Sequence, residues 1–180
     1  MLSKNTTGLI VVDVQGTLAS LMHESEALIE NTTKLVKGAK ALSLPMVWLE
    51  QNPDRLGPTV EPVREELSQN HLAIAKYTFD GCKVPTFKLA IENANVDTWL
   101  ICGIEAHICV YQTALSLRQM GYRVELVTDC VSSRTAANKA LALAKLTANG
   151  IGLTGVEMCL YEMVEDCRAP EFKDILTLIK

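Results

Sequence analysis

The sequence predicts an α/β protein, a three-layer αβα sandwich around a mostly parallel central sheet, formed by one domain over residues 1–180. Three observations predict it. Short apolar runs of the kind that fill a strand covered on both faces alternate with longer segments of helical periodicity. Two of the helical segments stop at glycines, Gly121 and Gly150, the residue that most readily ends a helix. Turn-forming or acidic residues, Asp13, Glu50, Gly103 and Asp129, directly follow apolar runs. Such alternation implies βαβ units with right-handed crossovers, and ligands of such sheets sit beyond the carboxyl ends of the strands.

In chain order, Gly8 to Val12 is a β-branched run and reads as the first strand, with Asp13 at its end. Glu24 to Leu42 places Leu28, Leu35, Ala39 and Leu42 on one face and reads as an amphipathic helix. A second strand runs from Met46 to Leu49, and the Pro, Asp, Asn and Gly of Gln51 to Gly57 mark a loop after it. Further strands are expected at Thr98 to Cys102, Val124 to Thr128 and Ile151 to Thr154, with helices from about Ile108 to Met120 and Arg134 to Ala148 between them. A last helix carries Phe172, Ile175 and Ile179 on one side. The segment Gly150 to Gly155 matches the dinucleotide pattern GxGxxG, but it follows a helix and contains the strand, so the context that would make it a cofactor site is missing.

With 180 residues and 48% hydrophobic side chains, the chain is long enough to bury its own core. A net charge of −4 without a basic run argues against nucleic acid as a partner. No segment has the length and apolarity of a membrane span and the N-terminus has no apolar leader, so a cytoplasmic protein away from the membrane is expected. Two Asn-x-Thr sequons, at Asn5 and Asn31, then read as chance matches. The six cysteines form no CxxC pair and no zinc-like spacing with histidine, and Cys102, Cys130 and Cys159 read as small buried hydrophobes.

Cys109 stands apart. The stretch Leu100 to Val110 reads as a strand, a tight turn and a cysteine at the start of a helix, where free backbone N–H groups lower a thiol pKa and can cradle an oxyanion. A cysteine nucleophile needs a base and a cation or dipole. Asp13 is either that base or a cap of the turn after it. Lys76 is either a solvated lysine or the cation between the two. His107 is only two residues from Cys109, a poor spacing for a shared helical face, and Glu105 would either repel an anionic substrate or turn out to solvent.

Val11-Val12-Asp13-Val14-Gln15, Lys76-Tyr77-Thr78-Phe79, Gly103 through Val110 and Asp129 through Arg134 together resemble the isochorismatase-like cysteine hydrolases, and the likeness extends over nearly the whole chain. Glu50 to Pro53 and Leu56 to Thr59 look most like the isochorismatase-domain-containing branch. The resemblance implies a Rossmann-like topology and a catalytic triad of Asp13, Lys76 and Cys109. It also implies a cis peptide between Ile104 and Glu105, and oxyanion donors from the backbone N–H groups of Glu105 and Cys109. Metal-dependent nicotinamidases of the family carry an Asp and two His after the second strand. Here Glu50, Gln51, Asn52 and Asp54 stand in that region without a histidine, so no metal and no cofactor are expected.

The expected function is hydrolysis of a small-molecule amide, carbamoyl or ester-like carbonyl through an acyl-enzyme. Pocket side chains are expected from Gln15, Leu18, Gln51, Tyr77, Phe79 and His107. Isochorismatase-type vinyl-ether hydrolysis and a non-catalytic scaffold are the alternatives, the first set back by the negative charge around Glu105. Family members form symmetric assemblies, so a homo-oligomer, dimer or higher, is expected, with the apolar segment Ile151 to Leu160 available to contribute to it.

Overall fold

A computed structural model of the chain describes residues 1–68 and 72–180. Six strands form one sheet in the order β3-β2-β1-β4-β5-β6: β1 (Thr7–Val12), β2 (Met46–Gln51), β3 (Ile74–Lys76), β4 (Thr98–Gly103), β5 (Arg123–Val131) and β6 (Gly152–Thr154). All neighbouring pairs are parallel.

Alternation along each strand sorts its side chains between two cores. Leu9 and Val11 of β1, Trp48 of β2 and Leu100 and Cys102 of β4 enter one. That core is covered by α1 (Gly16–Ser20), α2 (Ser25–Ala41), α4 (Glu61–Leu67), α8 (Val156–Val164) and α9 (Phe172–Ile179). Ile10 and Val12, Val47 and Leu49, Trp99 and Ile101 enter the other, against α5 (Pro85–Asn93), α6 (Tyr111–Gln119) and α7 (Ala136–Ala148). The three layers anticipated from the sequence are therefore present, and both faces of the sheet are covered.

The strand order reverses direction between β1 and β4, and this reversal opens a crevice at their carboxyl ends. Close approach of the two strands depends on Gly103, whose φ is +118° and where a Cβ would lie 1.9 Å from the Val12 carbonyl oxygen. Only glycine fits there.

Several local expectations need correction. Pro53–Leu56, read as part of a loop, forms the short helix α3, started by a proline whose missing N–H costs nothing at a first helical position. The helix expected from Ile108 begins as a π-helical turn, Ala106–Val110, closed by Val110 N–H to the Glu105 carbonyl at 3.3 Å. The sequence reading assigned no strand to Ile74–Lys76 and no helix to α4, α5 or α8.

Candidate active site

Asp13 follows β1 in the left-handed region, φ 54°, a conformation worth about 1–3 kcal/mol of strain that aspartate tolerates better than most residues. Its amide still donates to the Leu49 carbonyl at 3.1 Å, while its own carbonyl closes a tight turn with Gln15 N–H at 2.7 Å. The side chain is thereby turned into the crevice and is 1% exposed.

Lys76 ends β3, two strands away, and Gln51 ends the intervening β2 in register with it. The lysine stem is fully buried, and Nζ donates to Asp13 Oδ2 at 2.6 Å, to Gln51 Oε1 at 2.6 Å and to the Thr78 carbonyl at 3.4 Å. All three ammonium protons are committed. Gln51 is itself fixed by Nε2 donating to the Tyr77 carbonyl at 3.0 Å, and Cys109 Sγ lies 3.9 Å from Gln51 Oε1. Asp13 Oδ1, also buried, has no hydrogen-bond partner among the described residues, and the nearby Cys109 thiol acts on the carboxyl in the same direction as Lys76.

Burial dominates the electrostatics. It lifts the Asp13 carboxyl above its ordinary value, against the opposing pull of Lys76. It also pushes the Cys109 thiol up to about 12, reinforced by the Asp13 charge and only partly countered by Lys76. The thiol depression expected from a helix start is not what the site shows: burial, with the Asp13 charge, raises the thiol instead.

The Ile104–Glu105 peptide is cis. Beyond it, Ala106 N–H donates to the Ser132 carbonyl at 2.8 Å and Ile108 N–H to the Glu105 carbonyl at 3.0 Å, which fixes the turn carrying Cys109. Glu105 does not turn out to solvent, and its carboxylate stays on the crevice lining. It is 8% exposed, and Oε2 accepts from the backbone N–H of Arg134 at 3.3 Å and from its Nε at 3.2 Å.

The crevice has a volume of about 110 Å³. Its polar lining comes from Asp13, Gln51, Glu105 and Cys109, its apolar walls from Leu18, Leu56, Phe79, Ile104 and Ile108. Three expected pocket residues are elsewhere. Gln15 is fully buried and uses its amide to bind Gln51 N–H at 2.6 Å and the carbonyls of Gln51 and Gly57 at 3.1 and 2.7 Å. His107 Nδ1 pairs with Ser133 Oγ at 2.9 Å, and the Tyr77 side chain is 69% exposed, away from the lining. Leu56, Ile108 and Arg134 were missed. Arg134 ends the Asp129-to-Arg134 motif, whereas Leu56 reaches the site only through the fold of its loop.

Two other strand-end acids do not join this crevice. Glu50 accepts from Thr59 N–H and Oγ1 at 2.7 and 2.8 Å and so anchors the loop after α3. Asp129 accepts from Val156 N–H at the start of α8 and lines a separate crevice of about 290 Å³ with His23, Glu24, Asn31 and Lys139. Among the described residues, no group of three or more His, Cys, Asp or Glu side chains is placed to hold a metal ion. No helix among them is long and apolar enough to cross a membrane.

The secreted isochorismatase effector Isc1 of Phytophthora sojae is 36% identical over 178 residues, covering 96% of this chain and 83% of its own. Among solved structures, the MAR1 ribonuclease of Caenorhabditis elegans superposes with a TM-score of 0.94 at 31% identity, covering 99% of this chain and 91% of the nematode chain. YcaC from Pseudomonas aeruginosa, solved with hexane-2,5-diol and covalent acrylamide, gives 0.92 at 25% identity over 98% and 90%. The isochorismatase domain model matches residues 7–158, and with the parallel sheet and the strand order above this chain belongs to the isochorismatase family of hydrolases.

Proposed function

We propose that the protein is a metal-independent cysteine hydrolase that cleaves a small-molecule amide, carbamoyl or ester-like carbonyl through a covalent acyl-enzyme. The observation that carries this reading is the fully buried Lys76–Asp13 contact of 2.6 Å beside the Cys109 thiol. A lysine and an aspartate are rarely both removed from water without a functional reason.

In the reaction, Asp13 takes the thiol proton as Cys109 Sγ attacks the carbonyl carbon, so the charge moves between neighbours and no free thiolate has to accumulate. Lys76 holds its ammonium against whichever group is anionic. The oxygen of the tetrahedral intermediate is received by the backbone N–H groups of Glu105 and Cys109. The C–N or C–O bond then breaks, and Asp13 gives its proton to the leaving amine or alcohol. Water attacks the thioester with Asp13 again as base, which releases the acid and returns the proton to the thiol.

No metal is assigned, because Gln51 and Glu50, the last residues of β2, already hold Lys76 and Thr59. The covalently held acrylamide in the Pseudomonas protein supports covalent chemistry on a molecule of this size in a fold of this kind. The ribonuclease of Caenorhabditis elegans bears a name that finds no basic counterpart in a chain of net charge −4. Localisation in the cytoplasm and assembly into a homo-oligomer remain parts of the proposal, the Phytophthora relative being a secreted protein by its name. Cys109→Ala and Asp13→Asn should each abolish turnover of a small amide and ester panel while melting remains cooperative. Retained full activity in either variant overturns the mechanism.

A further inference from the structure

We propose that the acyl group accepted by this site is short and uncharged, and that Leu56 and Ile108 set its length. This rests on the acyl-enzyme reading above and narrows it to a substrate class. Size comes first. An apolar cavity of about 150 Å³ takes benzene, so the inner part of this open crevice, about 110 Å³, has room for about four to five non-hydrogen atoms. After the carbonyl carbon and oxygen are placed on Cys109, room is left for about two or three carbons.

Wall chemistry comes second. Leu18, Leu56, Phe79, Ile104 and Ile108 offer no hydrogen bond to a polar acyl tail, so burying one there leaves it unsatisfied. Charge comes third. Asp13 and Glu105 place two carboxylates on the lining, and the ammonium beside Asp13 has no donor left over. Lys76 has its three donors on Asp13, Gln51 and Thr78, and Arg134 holds Glu105. A carboxylate on the acyl group would lie beside two carboxylates that have already taken the Lys76 ammonium and the Arg134 Nε–H, and would give up its own hydration to do so. The leaving group must reach water to depart, so it lies toward the mouth, where Phe79 is 54% exposed, and its size is weakly constrained.

The test is a series of 4-nitrophenyl esters with straight acyl chains from acetyl to octanoyl, the 4-nitrophenyl monoester of succinic acid, and acetyl esters of larger phenols. Intact-mass detection of the adduct on Cys109 accompanies the kinetics. The expected profile peaks at acyl chains of about three to four carbons, with kcat/KM falling on the order of tenfold or more by octanoyl and on the order of a hundredfold for the succinyl ester. Leu56→Ala moves the optimum to longer chains, and Ile108→Val, a smaller cut, moves it in the same direction if the first variant does not fold. A flat acyl profile, a preference for the succinyl ester, or an optimum unmoved in a folded wall variant, each with the adduct on Cys109 intact, overturns this inference and leaves the hydrolase reading standing. Absence of any adduct on Cys109 overturns both.

Discussion

Replacing Lys76 with methionine isolates what the buried cation does for the fold. Methionine refills most of the space of the lysine stem, so the change is chiefly electrical. Asp13, 1% exposed, then loses the ammonium at 2.6 Å, and breaking a buried ion pair in this way costs about 3–5 kcal/mol. The carboxylate has an escape, because it can take up a proton. Its ordinary pKa is 3.8, so the whole cost of keeping it neutral at about pH 7 cannot exceed roughly 3.2 pH units at about 1.4 kcal/mol each, or about 4 kcal/mol.

Burial has already raised the native Asp13 carboxyl, so part of that cost is present in the parent and the expected loss is about 2–4 kcal/mol at neutral pH. A carboxyl whose native pKa is raised destabilises the fold progressively as pH climbs above its unfolded value. The penalty should therefore shrink as pH falls, to under about 1.6 kcal/mol near pH 5. Urea melts of the parent and Lys76→Met across that range, with Asp13→Asn/Lys76→Met as control, measure it. The double variant should recover most of the loss, since no charge stays buried. A deficit that does not change with pH, or a double variant no more stable than the single, would refute the reasoning.

Other outcomes follow from the same geometry. Gln15→Leu strips three hydrogen bonds from Gln51 and Gly57 and should cost about 2–4 kcal/mol in denaturant melts, with a rise in KM as Leu56 and Gln51 lose their anchor. Gly103→Ala puts a Cβ 1.9 Å from the Val12 carbonyl oxygen at a φ of +118°, so a loss above about 4 kcal/mol and no soluble folded protein are expected on expression. Burial lifts the thiols of Cys82, Cys109 and Cys159 from 9.0 to about 12. The unfolded chain ionises first, so stability is full below 9.0 and is lost as pH rises toward 12, by about 1.4 kcal/mol per unit for each thiol. Cys159→Ala should flatten that alkaline slope in chemical melts, and an unchanged slope would count against thiol ionisation as its cause.

The strands next to the reversal in the sheet were legible because they are covered on both faces and so carry unbroken apolar runs: Leu9 to Val12 and Trp99 to Cys102 are all buried. β3 was not, because three residues at a sheet edge leave no period to read and Ala75 faces solvent. The carriers of chemistry were visible as residue types out of place, an acid ending an apolar strand and a cysteine after a turn. Their surroundings were not visible. Whether Gln15 lines a pocket or fastens a backbone, and whether Glu105 meets solvent or Arg134, depends on loops separated by about 29 to 42 positions in sequence. The state of the Cys109 thiol was misjudged for a related reason: a local dipole can be read from neighbours in sequence, whereas desolvation is a property of the completed core.

The π-helical turn that carries Cys109 separates two tasks that an ordinary helix would bind together. In a regular helix each residue advances about 100°, so the direction of the cysteine would fix which residues of α6 meet the sheet. The wider loop closed between Glu105 and Val110 absorbs an extra residue before Tyr111, and Ala114 and Leu117 still reach the core. A single-residue deletion between Ala106 and Val110 would therefore swing the nucleophile while leaving the packed face of α6 in place. The direction of the nucleophile is in this way set apart from the face by which α6 packs.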